Sequence, residues 1–205
     1  MTRTRIWLPS SIDGLELHNV RAEPGSYQGR QAVRLTEQVM GEGGIAILPD
    51  SELGDGWIET RLAGRVRPDA PPDMRGFAGV AFRVRPDGNQ YECLFLRPMN
   101  ARADEQLRRN HTTQYVSHPD HPWYRLREEA PGIYESYADL VPDDWTRVRI
   151  EVSGMRARLH LGSAEQPCLI VNDLKLGTGS GRVALWIGTG TEAYFGEVDI
   201  TSAQP

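Results

Sequence analysis

The sequence predicts an all-β protein built as a sandwich of two antiparallel sheets, and three observations carry that prediction. From Trp145 to Leu161, apolar residues recur at every second position: Val148, Ile150 and Val152, then Met155, Ala157, Leu159 and Leu161. Strict alternation marks strands with one buried and one wetted face. Short segments of this kind also follow one another along the chain, separated by turn signals such as Pro68-Asp-Ala-Pro-Pro-Asp73 and Pro86-Asp-Gly-Asn89. Finally, only 101–109 carries a helical pattern, and a weak one. Closely spaced strands without intervening helices fold as sandwiches or barrels.

Strands are expected at 4–8, 15–20, 31–37, 44–48, 56–66, 76–85, 89–97, 111–116, 145–152, 155–162, 167–172, 181–188 and 192–200. Two of them, around Phe77–Val84 and Tyr91–Leu96, are apolar on both faces and should be central strands covered on both sides. In the 145–162 region the parity of the alternation changes at Ser153-Gly154, as a two-residue hairpin turn requires. That register sets Val152 opposite Met155, Ile150 opposite Ala157 and Val148 opposite Leu159. On the outer face it pairs Glu151 with Arg156, Arg149 with Arg158 and Arg147 with His160. The repelling Arg149–Arg158 pair then needs either acidic neighbours on an adjoining strand or an anionic or polyhydroxylated ligand.

Composition narrows the class. A chain of 205 residues with 39% hydrophobic content fits one β-sandwich, here taken as 1–205. The net charge of −5 speaks against nucleic acid as a partner. No apolar run approaches the roughly 18 residues of a membrane span. The start, Met1-Thr-Arg-Thr-Arg-Ile-Trp-Leu-Pro, lacks the apolar stretch of a signal peptide, so a cytoplasmic location is expected. Cys93 and Cys168 both lie in apolar strand contexts and read as buried free thiols. Oligomeric state has no signature in the sequence.

The segment 97–144 differs in kind. It has one convincing strand, yet it holds three of the five histidines, Trp123 and four of the seven tyrosines. A loop this long in a compact protein is either functional or disordered, and its aromatic content argues against disorder.

Several motifs here resemble a known family. Gly76-Phe-Ala-Gly-Val-Ala-Phe-Arg-Val and Tyr91-Glu-Cys-Leu-Phe-Leu-Arg-Pro98 are similar to the paired central strands of concanavalin A-like jelly-roll sandwiches. Leu96-Arg-Pro-Met-Asn100 with His111-Thr-Thr-Gln-Tyr115 is similar to an RPxN…QY pattern of the 3-keto-disaccharide hydrolase domain family. Asp144-Trp-Thr-Arg-Val-Arg-Ile, Gly181-Arg-Val-Ala-Leu-Trp-Ile-Gly-Thr-Gly and Ala193-Tyr-Phe-Gly-Glu-Val resemble its later strands. The resemblance covers about residues 40–200 and implies a carbohydrate-active protein that binds a glycan or keto-sugar in a cleft. The related laminarinase-type glycosidases carry an ExDxxE strand whose alternation sets catalytic carboxylates on one face. Neither Glu135-Ser-Tyr-Ala-Asp139 nor Glu197-Val-Asp199 has that spacing, so their two-carboxylate mechanism is not expected here.

The candidate binding residues are Arg97, Asn100, Gln114, Tyr115 and Trp123. Arg97 ends a buried strand and is fixed by Pro98. Its guanidinium either forks onto sugar hydroxyls or a carboxylate, or pairs with an acidic residue and pins the loop. On a regular strand His111 and Tyr115 share one face and Gln114 the other. Trp123 is either a stacking platform for the apolar face of a pyranose or a buried anchor for the loop. Glu128, Glu129 and His111 are the candidate acids and bases. No metal or cofactor is expected. His118-Pro-Asp-His121 offers only a weak metal outline, and a structural calcium at Asp50, Asp55 or Asp173 has no supporting spacing. Three readings follow: a sugar-binding enzyme that hydrolyses its ligand, a non-catalytic lectin-like sugar-binding or interaction module, and a structural homo-oligomer without a ligand whose long loop is spent on a subunit interface. Converging acid and base groups favour the first; an open aromatic platform without them favours the second.

Overall fold

The computed structural model describes residues 2–7 and 9–203. Its strands are β1 (Thr2–Trp7), β2 (Glu16–His18), β3 (Val20–Tyr27), β4 (Arg30–Glu37), β5 (Gly44–Ile47), β6 (Gly56–Val66), β7 (Ala78–Val84) and β8 (Tyr91–Leu96). A 3-10 turn (Pro98–Asn100) and α1 (Gln106–Asn110) lead to β9 (Thr113–His118), then α2 (Trp123–Glu129) and β10 (Glu135–Ser136). The chain closes with β11 (Thr146–Ser153), β12 (Arg156–Leu161), β13 (Leu169–Val171), β14 (Arg182–Ile187) and β15 (Thr191–Ser202). Among the described residues these form two antiparallel sheets. The eight-stranded sheet runs β13-β12-β11-β6-β15-β4-β3, with β1 also on β15, and the seven-stranded sheet runs β10-β9-β8-β7-β14-β5-β2. No helix among the described residues is long and apolar enough to cross a membrane.

Strand β15 joins the architecture. Its first half pairs with β4 (Phe195 with Val33) and its second half with β1 (Trp7 with Val198), and the register breaks between Phe195 and Val198. Such a break bends the strand and lets two partners share one edge. Sheet edges are kept short or broken. Sheet-terminal β10 and β2 are brief, and edge strand β3 contains Pro24 and Gly25, which discourage further pairing.

The inner faces of both sheets meet in one core that includes Leu35, Leu62, Phe82, Leu94, Leu96, Tyr115, Ile150, Leu185 and Phe195. A second cluster lies on the outer face of the seven-stranded sheet: Ile45, Ile47, Ala81, Tyr91, Cys93, Phe95, Val116 and Ala184, with Phe77 and Trp186 packed against it. This explains the two-faced apolar pattern. β7 and β8 are buried along their whole length, as central strands covered on both sides. Both cysteines are free; Cys93 is buried and burial holds its thiol well above the usual range.

Three expectations need correction. The 15–20 segment divides at Asn19, whose backbone turns left-handed (φ 54) while its side chain bonds Val39 and Gly43. β3 follows, a strand the polar 21–27 sequence did not suggest. Helix forms over Gln106–Asn110 only, whereas Trp123–Glu129 is helical without a sequence prediction. The β11–β12 hairpin keeps its predicted faces but shifts by two residues: Val148 pairs with Leu161, Ile150 with Leu159 and Val152 with Ala157. The turn is Gly154-Met155, because Gly154 (φ 57) takes the first central position where glycine fits without strain. Met155 is therefore 46% exposed rather than in the core.

The shift removes the expected Arg149–Arg158 repulsion. Arg158 now pairs with Glu151 at 3.3 Å. Arg149 lies opposite Glu59 of β6, with its guanidinium 3.7 Å from the Trp57 ring centre, and Arg147 forks onto Glu59 at 2.7 Å through two nitrogens. The acidic neighbour on an adjoining strand is thus Glu59.

Candidate functional site

The outer face of the seven-stranded sheet is built around an aromatic floor. Phe95 (β8), Gly79 (β7) and Trp186 (β14) lie side by side in register, and with no side chain at Gly79 the two rings meet above it. They stack with centroids 4.6 Å apart, and Phe77 meets Phe95 edge-on at 6.3 Å. A further row pairs Tyr91 with His118, whose rings stack at 4.7 Å, and the Trp186 indole N–H donates to the Tyr91 hydroxyl at 3.3 Å. Burial lowers the His118 pKa, opposed by nearby Asp120.

Over this floor lies a cleft of about 220 Å³, lined by Phe77, Tyr91, Phe95, Arg97, His118, Trp123, Trp186 and, at the opposite lip, Gly41, Glu42, Gly188 and Thr189. The lip is tied down by Glu37 of the other sheet. Its carboxylate accepts from the Gly43 N–H at 2.7 Å and the Gly190 N–H at 2.6 Å, so one side chain fixes two loops. A larger hollow of about 530 Å³ lies over the eight-stranded sheet, bordered by Arg30, Glu59, Arg61, Trp145 and Glu197. It is a trough with no stacked aromatic floor, where Glu59 is engaged by Arg147 and the Trp145 indole N–H by the Tyr27 carbonyl. The smaller cleft has the apolar floor and few polar groups typical of ligand sites.

Arg97 follows directly from the alternation of β8: Tyr91, Cys93 and Phe95 face outward, so residue 97 does too. Its guanidinium lies 5.1 Å from the Phe95 ring centre and 5.7 Å from that of Trp123. It is only 5% exposed. Burial, reinforced by Arg127 and opposed by Glu135, pushes its pKa down to about 10. One nitrogen, Nη1, donates to Gln114 Oε1 at 3.1 Å and to the His111 carbonyl at 3.2 Å.

A polar cluster stands behind it. Glu135 pairs with Gln114 in the β9–β10 ladder and so shares its outward face. Arg127, one helical turn after Trp123, forks onto Glu135 (Nη2 to Oε2 2.7 Å, Nε to Oε1 3.0 Å) and lies 4.8 Å from the Trp123 ring centre. His111 Nε2 is 3.1 Å from Glu135 Oε1. Burial foremost, with Arg127 and Arg97 adding to it, lowers the His111 pKa despite Glu135. Asn100 holds the scaffold, donating to the His111 carbonyl at 3.0 Å and accepting from Arg108 at 3.1 Å.

Of the residues anticipated from sequence, Arg97 and Trp123 line the cleft, and Trp123 is 44% exposed there rather than a buried anchor. Gln114, His111 and Asn100 support Arg97 from behind. Tyr115 is elsewhere. It points into the core between the sheets, where its hydroxyl donates to buried Glu92 at 2.6 Å and accepts from the Lys175 N–H at 2.9 Å. The reason is parity: β9 begins at Thr113, which turns Gln114 outward and Tyr115 inward, with His111 ahead of the strand and outside its alternation. Glu128 and Glu129 are exposed on α2 and outside the cleft; Glu129 pairs with Arg125 at 2.7 Å, which holds its carboxyl below the usual range. Asp55 and Asp173 are engaged by protein donors, Gly154 N–H and Arg83 for the first, Tyr134 and Lys175 for the second. Among the described residues no three His, Cys, Asp or Glu side chains converge as a metal site.

The floor residues Phe77, Phe95 and Trp186, the lip residue Glu42 and the supporting Glu135 were not anticipated. The two-faced apolar strands were the available signal for the floor. Glu135 had none, since it belongs to a strand of two residues.

Two antiparallel sheets with this strand order make the protein a concanavalin A-like jelly-roll sandwich. Solved structures of the same class resemble it at low identity. The carbohydrate binding module CBM66 from Bacillus subtilis matches with a TM-score of 0.61 and 12% identity over 92% of this chain and 94% of that one. A Bacillus subtilis protein of unknown function with a galectin-like fold matches at 0.63 and 11%, over 98% and 96%. The Bacillus licheniformis beta-glucanase matches at 0.56 and 9%, over 99% and 100%. No protein-family model and no curated protein sequence matches the chain. These likenesses show the fold.

Proposed function

We propose that the protein binds a carbohydrate in the cleft over the seven-stranded sheet, as a lectin-like module. The observation that carries this reading is the cleft itself: an aromatic floor of Phe77, Phe95 and Trp186, an exposed Trp123 at its mouth, and a buried Arg97 between Phe95 and Trp123. The exposed Trp123 ring offers a flat face to the apolar C–H face of a pyranose above the apolar floor, while Arg97 and Glu42 offer a donor and an acceptor to hydroxyls. The volume of about 220 Å³ lies below the range of roughly 300–1,000 Å³ for drug-sized ligands, which suits one sugar ring rather than a chain. The names of similar folds, a carbohydrate binding module and a glucanase, are consistent with this class of ligand. The test is titration with mono- and disaccharides while following tryptophan fluorescence. Saturable changes lost in Trp123→Ala support the reading; a flat response to a broad panel removes it.

A second reading is hydrolysis of a keto-disaccharide, as the RPxN…QY resemblance implies. One observation favours it: His118 and Glu42 both line the cleft and both can carry protons. Glu128 and Glu129 cannot serve, because neither faces the cleft. Release of monosaccharide from a 3-keto-disaccharide, abolished by His118→Ala, would establish turnover.

A further inference from the structure

We infer that the sugar received by this cleft is acidic, a uronate-type residue whose carboxylate is gripped by Arg97. The inference rests on the sugar-binding reading above and names its ligand class. Its starting point is a charge that the protein balances only in part. Arg97 is buried, yet its closest carboxylate oxygen, on Glu135, is 3.9 Å away, beyond hydrogen-bonding reach. Glu135 is already engaged by the fork of Arg127 and by His111. Two guanidinium groups therefore share one carboxylate, and the acceptors that Arg97 does have, Gln114 Oε1 and a backbone carbonyl, are neutral. A buried cation without a bonded counter-charge is costly, and an incoming anion relieves that cost.

Geometry selects a carboxylate. Arg97 uses Nη1 for its protein acceptors, while Nε and Nη2 have no acceptor among the described residues. Arg97 lines the cleft, so this edge of the guanidinium, unused by the protein's own acceptors, is the one left for a ligand there. Two parallel N–H groups on one edge match the two oxygens of a carboxylate, a pairing that is shorter and stronger than a bond to a hydroxyl. The opposite lip carries Glu42, which repels an acid group and accepts from hydroxyls. A uronate is thereby oriented with its acid end toward Arg97 and Trp123 and its hydroxyl end toward Glu42.

The experiment compares galacturonate and glucuronate with galactose, glucose and the two uronate methyl esters, by calorimetry on the wild-type protein. Each uronate should bind at least tenfold more tightly than its neutral parent and its ester, with the preference shrinking as salt rises. Arg97→Gln should bind acid and neutral sugars equally, and Arg97→Lys should keep part of the preference. Should Arg97→Gln fail to fold, the ester comparison on the wild type still decides. Neutral sugars binding as well as the uronates would overturn the acidic assignment and leave the sugar-binding reading standing. If no acid or neutral sugar in a broad panel bound, both would fall.

Discussion

Phe95 and Trp186 stack at 4.6 Å although strand β7 runs between them, because the β7 residue in register with both is Gly79. Strands lie about 4.8 Å apart, so next-but-one residues meet only across a missing side chain. A Cβ at Gly79 would sit 2.4 Å from the Leu94 carbonyl oxygen and 2.5 Å from the Phe95 Cβ, where backbone cannot yield cheaply. Gly79→Ala should lower stability by roughly 1–3 kcal/mol, as overpacking does, and shift the tryptophan emission of the floor. Urea unfolding followed by fluorescence reads both.

Trp123→Ala should weaken sugar binding about tenfold or more, equivalent to about 1.4 kcal/mol, with little change in melting temperature, since the ring is 44% exposed. Glu128→Gln and Glu129→Gln should bind as the wild type does. A binding loss in either glutamine variant would return those residues to the site.

Tyr115→Phe should separate stability from binding. It removes the donor to the Glu92 carboxylate and the acceptor for the Lys175 N–H, inside the core. A loss of roughly 1.5–3 kcal/mol is expected for a bond to a charged group. Sugar affinity should stay unchanged, because Tyr115 faces the opposite side of its sheet from the cleft.

Glu192 predicts an acid-sensitive step in stability. Burial would raise its pKa, but bonds from Arg34, Tyr194 and Arg65 outweigh burial and hold it below the usual value. A depressed native pKa gives stability that is complete above the ordinary glutamate value of about 4.3 and lost as pH falls through the native one. Glu192→Gln should therefore be less stable than wild type at pH 7, and the gap should close in acid. Since both arginines are 39% exposed, the neutral-pH cost should fall short of the roughly 3–5 kcal/mol of a fully buried pair. Denaturation midpoints at a series of pH values test the convergence.

The hairpin register gives a paired test. Ile150→Ala removes a fully buried side chain and should cost about 2–5 kcal/mol. Met155→Asn changes an exposed turn residue and should stay within about 0.5 kcal/mol. A large loss at Met155 would restore the register with Met155 opposite Val152.

What the sequence made legible is what alternation encodes. Strands such as β11, β12 and β6 bury one side and wet the other, so their faces were readable before any coordinates. β3 was not, because an exposed edge strand buries little and carries Pro24 and Gly25. Hairpin faces survived a two-residue slip that local pattern cannot detect; only the left-handed backbone of Gly154 places the turn. In the candidate site, the shared placement of Arg97 and Trp123 on one cleft was legible because a strand end and an isolated tryptophan in a long loop are local features. Glu135 and the Phe95–Trp186 floor were not, since they depend on which strands become neighbours. Tyr115 was misplaced because its parity was counted from His111, two residues before β9 begins.

The Glu37 carboxylate, reaching from β4 to the Gly43 and Gly190 amides, ties the two loops of one lip together. Prying the lip away from Trp123 would strip two amides of a charged acceptor at once, so the mouth resists widening. If a sugar binds here, little of the affinity should be lost to ordering those two loops. Under the sugar-binding reading, selection should then fall on thickness, a flat ring entering and a branched or bulky one being refused at the lip.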